Sequence, residues 1–225
     1  QESRVAITPD TTRRLINKGF SVHVESKAGL LSSFTDSEYE AAGASIHKKR
    51  TTLFSETNII LSVRRPDKSV KEFPEGIILI CLLDPFDQEA ALVKLAAKKT
   101  RAFAMELMPR VTRAQTMDVL SSQANLAGYQ AVLEATNAFT RALPMMMTAG
   151  GTIPAAKVFI MGAGVAGLQA IATARRLGAI VTATDVRPAS KEQVESLGAK
   201  FIAVEDEEFR SAETSSGYAK EMSDE

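Results

Sequence analysis

The amino-acid sequence predicts an α/β fold built from parallel sheets, and two observations carry that prediction. Short apolar runs of strand length alternate with stretches of helix length and helical periodicity over much of the chain. A glycine-rich segment also joins one of the apolar runs directly to a helical stretch near residue 162. Strands that alternate with helices usually form a parallel sheet with helices on both faces, and we expect that arrangement here.

Helix-start signals organise the first part of the chain. Thr8 is placed to cap a helix that has Pro9 at its first position, and Thr35 and Glu38 form a capping box for a second helix. Alternating polar and apolar residues predict a half-buried strand in which His23 points to solvent. The predicted strands cover residues 20–25, 58–63, 76–82 and 102–105, and a further helix covers 88–98.

The second half of the chain begins with a long helical stretch and continues as alternating strands and helices. Ser190 and Gln193 predict another capping box, and the methionines at 145–147 are interpreted as packing at the join between two domains. Three strands and two crossovers make one half of a doubly wound sheet, and the second half is absent. The predicted elements are helices over 119–143, 165–177 and 191–197, and strands over 157–161, 179–184 and 200–204.

The glycine-rich segment is the sequence Gly162-Ala163-Gly164-Val165-Ala166-Gly167, which has the spacing G-x-G-x-x-G. Glycine triplets arise by chance, but here a predicted strand precedes the motif and a predicted helix begins within it. In a dinucleotide site Gly162 permits the tight turn, Gly164 lets the backbone approach the pyrophosphate, and Gly167 lets helix and strand pack closely. The N–H groups at the start of the helix, including those of Val165 and Ala166, would face the phosphates.

An acidic residue follows the glycine motif at the distance that this kind of site requires. Asp185 ends the next predicted strand, eighteen residues after Gly167, and is placed to accept hydrogen bonds from the adenosine ribose. A 2′-phosphate would meet charge repulsion there, so we predict that the chain binds NAD(H) in preference to NADP(H). Arg187 complicates this prediction, because a nearby arginine can accommodate the 2′-phosphate.

Together these patterns predict two Rossmann-like parallel-sheet domains, the second incomplete in this chain. Residues 1–125 would form an N-terminal α/β domain carrying the loop on the nicotinamide side. Residues 126–225 would form the first half of an NAD(H)-binding Rossmann domain.

Composition narrows the classes of function. Lys and Arg total 27, as do Asp and Glu, and this balance gives no basic surface for nucleic acid. The single cysteine, Cys81, lies in an apolar run, so no disulfide within the chain is possible and a reducing compartment is expected. No membrane span and no metal site are predicted.

Three further segments of the sequence, taken with the glycine motif, resemble a known family. They are residues 4–9, residues 108–118 continuing to 128–129, and residues 217–222. The chain closely resembles, nearly end to end, the NAD(H)-binding component (alpha subunit, domain I) of proton-translocating NAD(P) transhydrogenase, within the alanine dehydrogenase/transhydrogenase superfamily. The resemblance implies direct, reversible hydride transfer between NAD(H) here and NADP(H) on a partner component, with a membrane-embedded component coupling the reaction to proton movement. It also implies a homodimer and a reaction without a protein nucleophile.

The resemblance assigns residues to the nicotinamide end of the nucleotide, namely Arg110, Gln115, Asp118 and Ser121. Asp118 could accept from the carboxamide NH2, while Arg110 and Ser121 could donate to its oxygen. Gln115 could reach the nicotinamide ribose or the partner's nucleotide, and it shares a helix face with Asp118 if a helix begins there. By the same resemblance, Tyr218 lies on a loop that closes over bound nucleotide.

Two alternatives remain open at this point. An alanine dehydrogenase-like enzyme is one, although Ser62 stands where that enzyme's substrate-binding lysine is expected and no histidine follows His47. A non-enzymatic NAD-binding module is the other. The expected location is the cytoplasm or the mitochondrial matrix, at the face of an energy-transducing membrane.

Overall fold

Parallel strands form a sheet in each of the two units into which the chain divides, Gln1–Asp118 and Val119–Glu225. The computed structural model describes residues 2–55, 57–109, 111–204 and 209. The predicted α/β fold with parallel-sheet domains is confirmed. No helix in the part of the chain that the model describes has both the length and the apolar character needed to cross a membrane.

The first unit alternates helices and strands. Its elements are α1 (Pro9–Asn17), β1 (His23–Glu25), α2 (Asp36–Ala41), β2 (Ser45–His47), α3 (Arg50–Ser55), β3 (Ile59–Arg64), β4 (Ile78–Leu82), α4 (Glu89–Ala97) and β5 (Arg101–Ala104). Strand β1 pairs with β2, and β3, β4 and β5 pair in that order, all in parallel.

The predicted caps of the first two helices are confirmed. The Thr8 side chain accepts a hydrogen bond from the Thr11 N–H at 3.2 Å, and Pro9 opens α1. Both hydrogen bonds of the capping box between Thr35 and Glu38 are present at the start of α2. These bonds satisfy N–H groups that have no partner within the helix.

Two short elements of the first unit, β2 and α3, were not predicted, and β2 changes the surroundings of His23. The prediction that His23 points to solvent is wrong, because Nδ1 of His23 lies 2.8 Å from Nε2 of His47 on the paired strand. Residues aligned along neighbouring strands point to the same face, so a strand absent from the prediction removes the contact as well.

Strand β4 lies at the centre of the three-stranded sheet, and its two faces differ. Leu79 and Cys81 are buried against a core that includes Phe54, Phe73 and Leu95. The opposite face is partly open, and its exposed apolar side chains include Ile59, Leu61 and Phe103. The prediction that helices cover both faces is therefore wrong for the described residues.

The second unit contains the glycine motif. Its elements are α5 (Val119–Ala138), β6 (Met146–Thr148), β7 (Gly151–Ile153), β8 (Lys157–Met161), α6 (Val165–Arg176), β9 (Ile180–Thr184), α7 (Ser190–Ser196) and β10 (Lys200–Phe201). Strands β8, β9 and β10 are parallel, with β9 central and α6 and α7 as crossovers. Helix α5 packs against α6. The predicted strand-helix-strand-helix-strand order is confirmed.

Two details of the second unit differ from the sequence predictions. Residues Met145 to Met147 are exposed and lead into the antiparallel β6–β7 hairpin, so the interpretation of these methionines as packed residues is wrong. Ser190 is the first residue of α7 rather than its cap, so the second capping box is also wrong. The reason is that Ala189 already has helical torsion angles, whereas a capping residue is normally extended.

Candidate nucleotide site

The glycine motif forms the turn between β8 and α6, at the carboxyl end of the parallel strands. Gly162 has a φ of +90°, a conformation that residues with a Cβ rarely adopt. Gly164 precedes the helix in an extended conformation and contributes no side-chain cap. Because the first N–H groups of an α-helix have no partner within the helix, the start of α6 can offer N–H donors to an anion.

The other two glycines of the motif differ in what surrounds them. A Cβ added to Gly167 would lie 1.8 Å from the Gly162 carbonyl oxygen, so the turn and the helix are in direct backbone contact. A Cβ added to Gly164 would meet no atom within 4 Å. Gly167 is therefore needed for packing, whereas Gly164 borders open space into which a ligand could fit.

A second helix supports the turn from behind. A Cβ added to Gly128 of α5 would lie 2.0 Å from the Ala166 carbonyl oxygen of α6, so these helices are in backbone contact at the start of α6. The sequence alone did not predict this role for Gly128. The available signal was a glycine inside a long predicted helix, which lowers helix stability and often indicates close packing.

Asp185, directly after β9, is joined to the glycine turn by a hydrogen bond. Its Oδ2 accepts from the Ala163 N–H at 2.7 Å, and its Oδ1 accepts from the Arg187 N–H at 2.8 Å. The Asp185 side chain is only 7% exposed. Burial alone would raise the pKa of this carboxyl, but the donors from Arg187 and Ala163 outweigh it and hold the pKa below its usual range. The carboxylate is therefore ionised at neutral pH and fixed beside the turn.

The residues predicted for the nicotinamide side lie on different local structures. Gln115 is exposed in a 3-10 helix that spans Thr112–Met117, Asp118 is extended, and Ser121 lies in the first turn of α5. The predicted common helix face for Gln115, Asp118 and Ser121 is wrong, because the extended Asp118 separates the two helices. Arg110 and Tyr218 lie outside the described residues.

Both halves of the chain match models of one protein family. The model described as "Alanine dehydrogenase/PNT, N-terminal domain" matches residues 1–127, and the corresponding C-terminal domain model matches residues 131–223. The chain belongs to the alanine dehydrogenase/PNT family. The resemblance drawn from the sequence motifs is thereby confirmed.

Relatives within the alanine dehydrogenase/PNT family include proteins of both kinds. The first part of NAD(P) transhydrogenase subunit alpha from Rhodospirillum rubrum is 52% identical over all of this chain, which spans 60% of that protein. A crystal structure of transhydrogenase from Sinorhizobium meliloti has 58% identity and a TM-score of 0.88, covering 93% of this chain and 60% of the other. An alanine dehydrogenase from Staphylococcus haemolyticus is 30% identical over 87% of this chain, which covers 53% of that protein.

Proposed function

We propose that this chain is the NAD(H)-binding component of a proton-translocating transhydrogenase. It would exchange hydride reversibly between NAD(H) and NADP(H) held by a partner component. A membrane-embedded component would couple the exchange to proton movement. The observation that carries the proposal is the 2.7 Å hydrogen bond from the Ala163 N–H to Asp185, which joins the glycine turn to a buried, ionised carboxylate.

The arrangement around Asp185 supports NAD(H) as the nucleotide. A pyrophosphate fits the open side of Gly164, where the N–H groups of Val165 and Ala166 begin α6. A ribose beyond it would meet the Asp185 carboxylate, which accepts hydrogen bonds from hydroxyl groups. A 2′-phosphate there would be repelled, which supports NAD(H) over NADP(H).

The nicotinamide end is assigned to residues that follow the first sheet in the chain. We assign Arg110, Asp118 and Ser121 to the carboxamide and Gln115 to alignment of the two nicotinamide rings. Tyr218 would cover the bound nucleotide. Direct hydride transfer depends on positioning and exclusion of water, so these residues would act by orientation rather than as an acid–base pair.

The assembly follows from the same proposal. Likeness to proteins that form only a portion of the transhydrogenase alpha subunit supports separate NADP(H)-binding and membrane-embedded partners, and we also propose a homodimer. The complex would lie at the cytoplasmic or matrix face of an energy-transducing membrane.

The decisive experiment mixes the intact protein containing this chain with an NADP(H)-binding transhydrogenase component and follows hydride exchange between the two nucleotides. We expect exchange that requires both components. NADH binding without exchange would favour a non-enzymatic NAD-binding module, and alanine-dependent reduction of NAD would favour an alanine dehydrogenase.

A binding experiment tests the nucleotide site separately. Asp185→Ala should weaken NADH binding by about 1–3 kcal/mol, the usual result of losing hydrogen bonds to a charged group. Glu195→Ala, which removes an exposed carboxylate from α7, is the matched control and should leave the affinity unchanged. Equal affinities for the parent and Asp185→Ala would contradict the assignment.

A further inference from the structure

The Asp185 carboxylate is already surrounded by donors, and most of them belong to Arg187. The Arg187 N–H and Nε donate to Oδ1 at 2.8 and 2.9 Å, and Nη2 donates to Oδ2 at 3.1 Å. The Ala163 N–H donates to Oδ2 at 2.7 Å. A carboxylate has about four lone-pair directions, so these four donors use its accepting capacity.

A ribose that binds through Asp185 must therefore replace one or more of these donors. The two backbone N–H groups belong to the glycine turn and to the segment after β9, and both are held by the fold. The Arg187 guanidinium is on a side chain that retains 27% exposure and can rotate toward solvent. It is the donor that can leave without disturbing the backbone.

We propose that the Arg187 guanidinium is an exchangeable latch on Asp185. In the empty site it holds the carboxylate oriented toward the turn, and it gives up its side-chain hydrogen bonds when the hydroxyls of the adenosine ribose arrive. This inference rests on the proposed NAD(H) site. Arg187 is then a specificity-determining residue, since it favours ligands whose ribose hydroxyls can replace the bonds that it loses.

The effect on affinity should be modest because the ion pair is partly exposed. Ion pairs at the protein surface contribute about 0.2–1 kcal/mol, which corresponds to roughly 1.4- to 5-fold in a dissociation constant. Arg187→Met keeps much of the apolar stem and removes the donors. It should tighten NADH binding by a factor in that range.

The test uses the intact protein and four ligands that differ in the adenosine ribose. Arg187→Met should tighten binding of NADH and AMP, which carry both ribose hydroxyls. It should leave binding of 2′,3′-dideoxy-AMP and of reduced nicotinamide mononucleotide unchanged, because neither has these hydroxyls. Arg176→Met removes an exposed arginine from the last turn of α6 and should leave all four affinities unchanged.

The possible failures can be told apart. If the parent protein does not bind NADH, the proposed function fails and the latch fails with it. If the parent binds NADH but Arg187→Met binds it equally or more weakly, or changes AMP and dideoxy-AMP alike, only the latch is wrong. Arg187→Lys keeps the charge without the planar fork, so it should give an intermediate effect and replaces the Met variant if that one fails to fold.

Discussion

Gly128 of α5 contacts the carbonyl group of Ala166 of α6 so closely that a Cβ at residue 128 would lie 2.0 Å from the carbonyl oxygen. Ala166 belongs to the glycine motif, so α5 supports the phosphate-facing turn directly through its backbone. The position of the start of α6 thus depends on a residue 34 positions earlier than Gly162 in the chain.

Gly128→Ala should therefore impair both folding and nucleotide binding. The added methyl group forces α5 and α6 apart, and such overpacking usually reduces the free energy of unfolding by about 1–3 kcal/mol. We expect a lower melting temperature and weaker NADH binding, measured by calorimetry and by fluorescence titration. Gly150→Ala is the control, because a Cβ there would first meet the Thr148 Oγ1 at 3.6 Å, an ordinary contact distance. Normal stability of Gly128→Ala would show that the helices do not touch at this point.

Gly164→Ala should separate binding from folding. Its backbone φ of −74° suits alanine, and no atom lies within 4 Å of the added Cβ, so the melting temperature should stay within about 1 °C of the parent. The methyl group would occupy space assigned to the pyrophosphate, and NADH affinity should fall by about tenfold or more.

The neighbouring glycine provides the contrast for that experiment. Gly167→Ala would place its Cβ 1.8 Å from the Gly162 carbonyl oxygen, so it should lower stability as well as affinity. If Gly164→Ala bound NADH as tightly as the parent, the pyrophosphate could not lie beside Gly164.

The second sheet could be predicted well from the sequence because its signals are local. The apolar run of β8, the glycines and the acid at 185 follow each other in the order that a strand, turn, helix and strand require. The caps at Thr8 and Thr35 were also predictable, since each side chain bonds to a backbone group only three residues away.

The features that were missed depend on contacts between distant residues. The histidine pair joins residues 23 and 47, and the α5–α6 contact joins Gly128 and Ala166, and no local pattern encodes either distance. Ser190 shows the opposite error. Its spacing from Gln193 fits a capping box, but helical torsion angles at Ala189 place the serine inside the helix.

Gln115→Asn tests the role proposed for the 3-10 helix that precedes Asp118. Shortening the side chain by one methylene should leave the NADH dissociation constant within about twofold, because the remaining nucleotide contacts are unchanged. Hydride exchange with the NADP(H)-binding component should slow by about 10- to 100-fold, since misplacement by about 1 Å has effects of that size.

A neighbour on the same short helix controls for local disturbance. Thr116→Ser alters an exposed residue by a single methyl group and should change neither binding nor exchange. A large loss of NADH affinity in Gln115→Asn with unchanged exchange would contradict a role in ring alignment.

The buried thiol of Cys81 gives a prediction for the stability of the first unit. Burial, with a further contribution from the Glu106 carboxylate, raises the pKa of Cys81 to about 11 from an ordinary 9.0, and the side chain is only 2% exposed. The folded protein thus retains this proton at pH values where the unfolded chain loses it. Stability should decline as the pH rises from about 9 to about 11, by an amount on the order of 2 kcal/mol.

Two measurements check the behaviour of this thiol. Labelling with a thiol-specific disulfide reagent at pH 8 should be slow in the folded protein and fast once denaturant unfolds it. Chemical unfolding at pH 8 and at pH 10.5 should show a larger loss of stability in the parent than in Cys81→Ala, which has no thiol to ionise. Rapid labelling of the folded protein, or equal losses in the two proteins, would mean that Cys81 is not protected within the core beneath β4.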